Sequence, residues 1–364
     1  MNNKELTESI YEKHNPFANS RQPVVAPTAH LFKSLVDEMT ESLPKEQKRR
    51  IQQEFFGWGP LEQLLDRDDI FDIMIQGPDS IFFENCSGIH RLNDQFLSSR
   101  SFQSFLERLK SQAEIQIDKR DPFGNGQVHH FRVHMIVPPI SQKVCITLRR
   151  HLQKSLSFED LVESEFMNEH TALFLKKALE KKENFLIVGP TGSGKTTFLN
   201  SLIAKIPENQ RLVIIEDTKE LITQNPLHCQ LVAREVCPET LKPVFMEDLV
   251  KQSLRMRPDR IMVGEVRGRE AKDLLLALST GHQGSAGTLH ADSAPQALLR
   301  LEMLVQMGAP HWSLHTIRQL IHLSLQTIIV LDSDKQKKKV KEIHRIASHE
   351  SFGLLLEKIH LKSS

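Results

Sequence analysis

Apolar residues are spaced differently in the two parts of the chain. Phe185 to Val188 is a short apolar run, read as a buried strand, and Phe198, Leu199, Leu202, Ile203 and Ile206 then recur at helical spacing. Apolar strands recur downstream in "RLVIIEDTKEL" (211–221), in "DRIMVGE" (259–265) and at Ala286 to Leu289. Ser293 and Pro295 then supply a cap and a first-turn proline for the next helix. Strand alternating with helix predicts a doubly wound α/β core over residues 168–364.

Upstream the rhythm changes. Ala29 to Phe56 has helical spacing, broken near Pro44, and "GWGPLEQLL" (57–65) reads as a turn and a short helix. "IFDIMIQGPDSIFFENCSGIHRL" (70–92) alternates apolar runs with turns at Gly77-Pro78-Asp79 and Asn85 to Gly88, which predicts hairpins. Residues 101–115 read as a helix, and "FRVHMIVPPI" and "KVCITLRR" as two further strands. Residues 29–150 are thus expected to form a smaller α+β domain. Residues 1–28, polar with "NPF" and "RQPVVAP", read as a flexible lead-in, and 151–167 as a polar linker.

Composition narrows the field. A chain of 364 residues can bury two cores. Charged residues make up 26% with a net charge of +1, so nothing global draws it to nucleic acid or acidic substrates. No apolar run approaches the ~18 residues of a membrane span, and the polar start "MNNKELTESI" does not read as a secretory signal. The expectation is a cytoplasmic protein, with any membrane contact made through partners. Cys86, Cys145, Cys229 and Cys237 are scattered without a C-x-x-C pair, as free thiols would be. The basic run "DKQKKKVK" (334–341) reads as a solvated hairpin turn in preference to a docking patch. In "VHHFRVH" (128–134) an extended strand would place His130, Arg132 and His134 on one face and His129 on the other. A cation between two histidines argues against a metal there.

The stretch "GPTGSGKTT" carries the clearest chemistry: Gly189, Pro190, Thr191, Gly192, Ser193, Gly194, Lys195, Thr196 and Thr197 satisfy the phosphate-loop pattern between a strand and a helix. Glycines let successive N–H groups converge on an anion, and the following helix adds its N-terminal partial charge. Lys195 is expected at the β- and γ-phosphates and the Thr196 hydroxyl on Mg²⁺. Glu216 and Asp217 follow the second core strand, where an acid can orient water or help hold Mg²⁺; capping a turn is the alternative for Asp217. Glu265 follows the third, placed to polarise water or to reach Mg²⁺ through water, with Arg267 beyond it to pair with an acid or a phosphate. His290 ends the fourth, as a γ-phosphate sensor or as a structural histidine.

Other users of this loop fit less well. "DTKE" (217–220) is no guanine reader, and "LSTGHQG" (278–284) lies after the third acidic strand, where an ABC signature would precede it. A stacking ladder for single-stranded nucleic acid is not visible, nor is a kinase lid. A scaffold that binds ATP without hydrolysing it stays open.

The four blocks in this order, 189–197, 213–220, 260–265 and 280–294, resemble the secretion ATPase superfamily of type II secretion, type IV secretion and type IV-like pili. "LRMRPDRIMVGEVRG", "TGHQGSAGTLHA", "GWGPLE", "DIMIQGPDSIFFE", "RVHMIVPP" and "ITLRR" look like its CpaF branch, the ATPases of tight-adherence (Flp) pili. The resemblance spans roughly residues 50 to 345. It implies a homohexamer, peripheral at the inner membrane, whose subunits pair an N-terminal domain with a RecA-like P-loop domain, ATP and Mg²⁺ as cofactors, and an inner-membrane platform protein of a pilus or secretion system as partner. It also implies phosphate contacts by Arg149 and Arg150, with Arg132 at a matching position. One departure stands out: in "FGNGQVHHFRV" the family's hairpin arginine falls at Gly126, which leaves either a remodelled hairpin or one phosphate contact fewer.

Overall fold

Apolar side chains at every second position, or at every position, separate the two sheets of this protein. The computed structural model describes residues 2–14, 29–85, 87–151, 155–234, 242–334, 337–350 and 353–360. The chain divides into two units, Met1–His151 and Leu152–Ser364.

The first unit begins with helices α1 (Asn3–His14), α2 (Ala29–Met39) and α3 (Lys45–Phe56). Leu6, Ile10, Val36, Ile51 and Phe55 form their shared core. This corrects the expectation of a flexible lead-in for residues 3–14. Leu6, Ile10 and Tyr11 supply a helical stripe that the polar neighbours obscure; residues 15–28 lie outside the described residues. After a short α4 (Glu62–Leu65) come strands β1 (Asp72–Gln76), β2 (Ile81–Asn85) and β3 (Gly88–Arg91). Helix α5 (Ser99–Gln112) opens on a reciprocal Ser98–Ser101 capping box. Strands β4 (Phe123–Val128), β5 (Phe131–Ile136) and β6 (Cys145–Arg150) complete an antiparallel sheet of order β3-β2-β1-β6-β5-β4. One face packs on Phe102, Phe105, Leu106 and Leu109 of α5, and β5 alternates buried with half-buried residues.

Two sequence expectations change here. "VHHFRVH" is not one strand: His129 (φ 49°) and His130 form the turn between β4 and β5. Strand β4 itself, glycine-rich, was not expected.

The second unit begins with α6 (Phe158–Glu163) and α7 (Glu169–Glu180). Phe158, Leu161, Phe166 and Met167 are buried in its core, so 158–167 is part of this unit and not a linker. Then follow β7 (Phe185–Gly189), α8 (Lys195–Ile203), β8 (Leu212–Glu216), β9 (His228–Val232), α9 (Met246–Ser253), β10 (Arg260–Val263), α10 (Glu270–Ser279), β11 (Ala286–His290), α11 (Ala294–Gly308) and α12 (Leu314–Ser324). Strands β12 (Thr327–Asp334), β13 (Lys337–Glu350) and β14 (Gly353–Lys358) end the sheet, whose order is β14-β13-β12-β7-β11-β10-β8-β9. β12 through β9 in that order run parallel, and β13 and β14 join antiparallel at the edge. Helices α6 to α8 cover one face and α9 to α12 the other. Being covered on both faces, β7, β8 and β10 are buried along their whole length. The basic run falls at the β12–β13 hairpin as expected, with residues 335–336 outside the described residues. No described helix is long and apolar enough to cross a membrane.

Candidate functional site

Parallel strands bring their C-terminal ends to one edge of the sheet, and the second unit places there Gly189 of β7, Glu216 of β8, Glu265 just past β10 and His290 of β11. Register fixes the closest pair, since His290 lies opposite Gly189.

The loop after β7 turns through Gly192 (φ 77°) and Gly194 (φ 88°), left-handed conformations that favour glycine. Gly194 is the N-cap of α8, and no side chain caps that helix. The first amides of α8 are left without intrahelical acceptors. The Ser193 hydroxyl oxygen is buried without a hydrogen-bond partner. Uncapped amides, a left-handed nest and an orphaned hydroxyl beside a lysine fit the phosphates of a nucleotide. Thr191 and Gly192 are exposed at the loop's tip, and Pro190, Thr196 and Thr197 are half-buried.

Lys195 is buried, and its Nζ donates to Gly189 O at 2.9 Å and to Pro190 O at 2.9 Å, and lies 3.0 Å from His290 Nδ1. Burial pushes its ammonium down to about 8, with Glu265 opposing and Arg267 assisting. His290 Nε2 stands 3.1 Å from Glu265 Oε1. That separation is within ion-pair reach, yet Oε1 is buried and has no hydrogen bond; the ring N–H is not aimed at it. Burial lowers the His290 pKa, Glu265 raises it, and Lys195 and Arg267 lower it further, so the net shift is downward. Burial also raises the Glu265 pKa, but the Arg267 hydrogen bond and charge, then the charges of His290 and Lys195, bring it below the usual carboxylate range.

Arg267 clasps two acids, through Nη2 to Glu265 Oε2 at 2.6 Å and through Nη1 to Asp217 Oδ2 at 2.8 Å. The Glu265 bond, then the Asp217 charge, hold its guanidinium above its ordinary range against the effect of burial. A continuous polar chain runs Lys195–His290–Glu265–Arg267–Asp217.

Glu216 departs from its expected role with water. Its carboxylate is 1% exposed, and Oε1 accepts from the backbone of Glu220 and Leu221 while Oε2 accepts from Gln230 Nε2. Burial still raises its pKa. The group is engaged in clasping the loop 217–221. That loop delivers a residue the sequence reading passed over: Glu220 Oε2 lies 3.4 Å from Thr196 Oγ1. Its signal was its place four residues beyond Glu216 in "EDTKE". Among the described residues no cluster of three or more His, Cys, Asp or Glu can hold a metal alone.

In the first unit, Arg149 and Arg132 are cross-strand neighbours. Arg149 is 58% exposed and bonds Asp72 through Nε at 2.9 Å. Arg150, expected at a phosphate, is engaged elsewhere. It donates to the carbonyls of Ile70, Leu64 and Leu65 and lies 4.7 Å over the Phe131 ring. Burial, then the charges of Arg132 and Arg149, push His151 down to about 4. Gly126 has no room for an arginine, because a Cβ there would lie 2.2 Å from Ala113 O and 2.5 Å from Ile115 Cγ1.

Fold and site together define a RecA-like P-loop protein built for a nucleoside triphosphate. Residues 56–352 match the family described as Type II/IV secretion system protein, and the chain belongs to that family. It is accordingly an ATPase. A putative conjugal transfer protein of Mycobacterium tuberculosis is 35% identical over 268 residues, 71% of this chain and 76% of that one. The type IV secretion system protein VirB11 of Bartonella henselae is 27% identical over 323 residues, 78% of this chain and 90% of its own. The solved ATPase DotB of Legionella pneumophila shares the fold, with a TM-score of 0.53 and 19% identity over 89% of this chain and 83% of that one.

Proposed function

We propose that the chain is the ATP-hydrolysing motor of a bacterial secretion or tight-adherence (Flp) pilus system. It works as a homohexamer in the cytoplasm, at the inner face of the inner membrane. Hydrolysis moves its two domains against each other and so drives an inner-membrane platform protein. The observation that carries the reading is the meeting of Lys195, His290 and Glu265 in one contact chain at the phosphate loop.

Each residue has a task in this reading. The loop amides and Lys195 bind phosphate. Thr196, with Glu220 beside it, would hold Mg²⁺, which would supply charge neutralisation to the phosphates. Arg267 keeps Glu265 ionised, and the unbonded Oε1 of Glu265 accepts the proton of the attacking water. Glu216 positions the loop that carries Asp217 and Glu220. Arg149 is the cation this reading assigns to the transferring phosphoryl group.

A type IV secretion or conjugation motor is the second reading, favoured by the names of the relatives just given. A scaffold with weak hydrolysis is the third, supported by Gly126 and by the engagement of Arg150. Light scattering on the full chain, with a non-hydrolysable ATP analogue and Mg²⁺, tests the first. A hexamer favoured by nucleotide is expected. A nucleotide-bound monomer at high concentration would count against the motor.

A further inference from the structure

Lys195 is the cation of the phosphate loop, yet its ammonium is fully engaged by protein acceptors. It has three N–H donors, and three acceptors surround it: Gly189 O and Pro190 O, each at 2.9 Å, and His290 Nδ1 at 3.0 Å. Because an ammonium only donates, Nδ1 must accept, which leaves the ring proton on Nε2, the nitrogen 3.1 Å from Glu265 Oε1 but not hydrogen-bonded to it. The two carbonyls belong to the lysine's own loop. His290 comes from a separate strand, held opposite Gly189 by the β7–β11 register. With three donors on three acceptors, the lysine cannot bond a phosphate until one of those bonds breaks.

We infer that His290 is a positioning residue that competes with phosphate for the Lys195 ammonium, so that nucleotide binds at the expense of the Lys195–His290 bond. The inference rests on the proposed phosphate site. Breaking the bond frees Nδ1 and, through Nε2, changes what Glu265 Oε1 faces. Occupancy of the loop is thereby reported to the carboxylate that handles water. His290 then competes with nucleotide before it assists hydrolysis, and its removal has two effects of opposite sign. ADP binds more tightly and ATP turns over more slowly. A residue that touched only the γ-phosphate would leave ADP affinity unchanged, and a purely structural residue would weaken both nucleotides.

Calorimetric titration of ADP into the full chain tests this with the wild type, His290→Ala and His290→Asn. The alanine variant is expected to bind ADP about two- to tenfold more tightly, the range for losing one competing hydrogen bond. Asparagine, whose amide oxygen takes the place of Nδ1 as acceptor, is expected to stay near the wild-type affinity. ADP affinity in His290→Ala that is equal to or weaker than wild type overturns the inference. So does an asparagine variant as tight as alanine. A wild type that binds no ADP would overturn the phosphate site itself, and this inference with it.

Discussion

In the second unit β7, β8 and β10 are buried from end to end, whereas in the first unit β5 alternates buried with half-buried residues. The difference decides where polar chemistry can sit. A parallel sheet covered on both faces can show polar side chains only at strand ends. There they converge, lose water and lean on one another, as the depressed Lys195 and the clasped Glu265 show. An antiparallel sheet with one open face can carry cations along its length. Arg149 and Arg132 stand side by side there, and Arg149 remains 58% exposed. The first arrangement is pre-organised and withdrawn from water, and the second keeps its cations at the surface, Arg149 in an exposed pair with Asp72.

That contrast breaks most severely at Gly126. Gly126→Arg would restore the family's residue type, but the clashing Ala113 carbonyl is backbone. Denaturant unfolding should show a loss of about 3 kcal/mol, at the upper end for overpacking. Stability equal to wild type would show that the hairpin can yield.

The next effect lies in the buried network. The buried Lys195 ammonium loses its proton as pH rises through about 8. Bound phosphate raises that pKa, so the bound form keeps the proton. ADP affinity should be independent of this group below pH 8. Above it, affinity should fall by up to about tenfold per pH unit, as one proton is taken up on binding. Titrations between pH 7 and 10 check this, and a flat profile would mean that Lys195 is not the phosphate ligand.

The smallest effect belongs to the open face. Arg149→Ala removes an exposed pair with Asp72, so stability should change by less than about 1 kcal/mol. Its kcat should fall more than its nucleotide affinity. An unchanged kcat would remove Arg149 from the mechanism.

Legibility followed the same physics. Strands β7, β8, β10 and β11 were readable because continuous apolar runs ended in Gly189, Glu216, Glu265 and His290, and a parallel sheet brings such ends to one edge; the half-exposed β9 carries no such run. Strand β4 was hidden because Gly124 and Gly126 carry no apolar signal; their small size serves packing against Ala113 to Ile117. Helix α1 and the buried Phe158, Leu161, Phe166 and Met167 were masked by polar neighbours. The engagement of Glu216 by Glu220, Leu221 and Gln230 depends on the path of a loop, which no local pattern specifies. The Asp217–Arg267 bond joins residues fifty positions apart, so sequence could offer Arg267 a partner class but not the partner.

The central claim is that Glu265, clasped by Arg267 and facing His290, handles the water in ATP hydrolysis. Its most direct test is Mg²⁺-dependent ATP turnover of Glu265→Gln against wild type, with nucleotide affinity measured on the same samples. Turnover should fall by about 10²- to 10⁴-fold while affinity stays near that of wild type. Unchanged turnover, or a loss of turnover explained wholly by lost binding, would contradict the account.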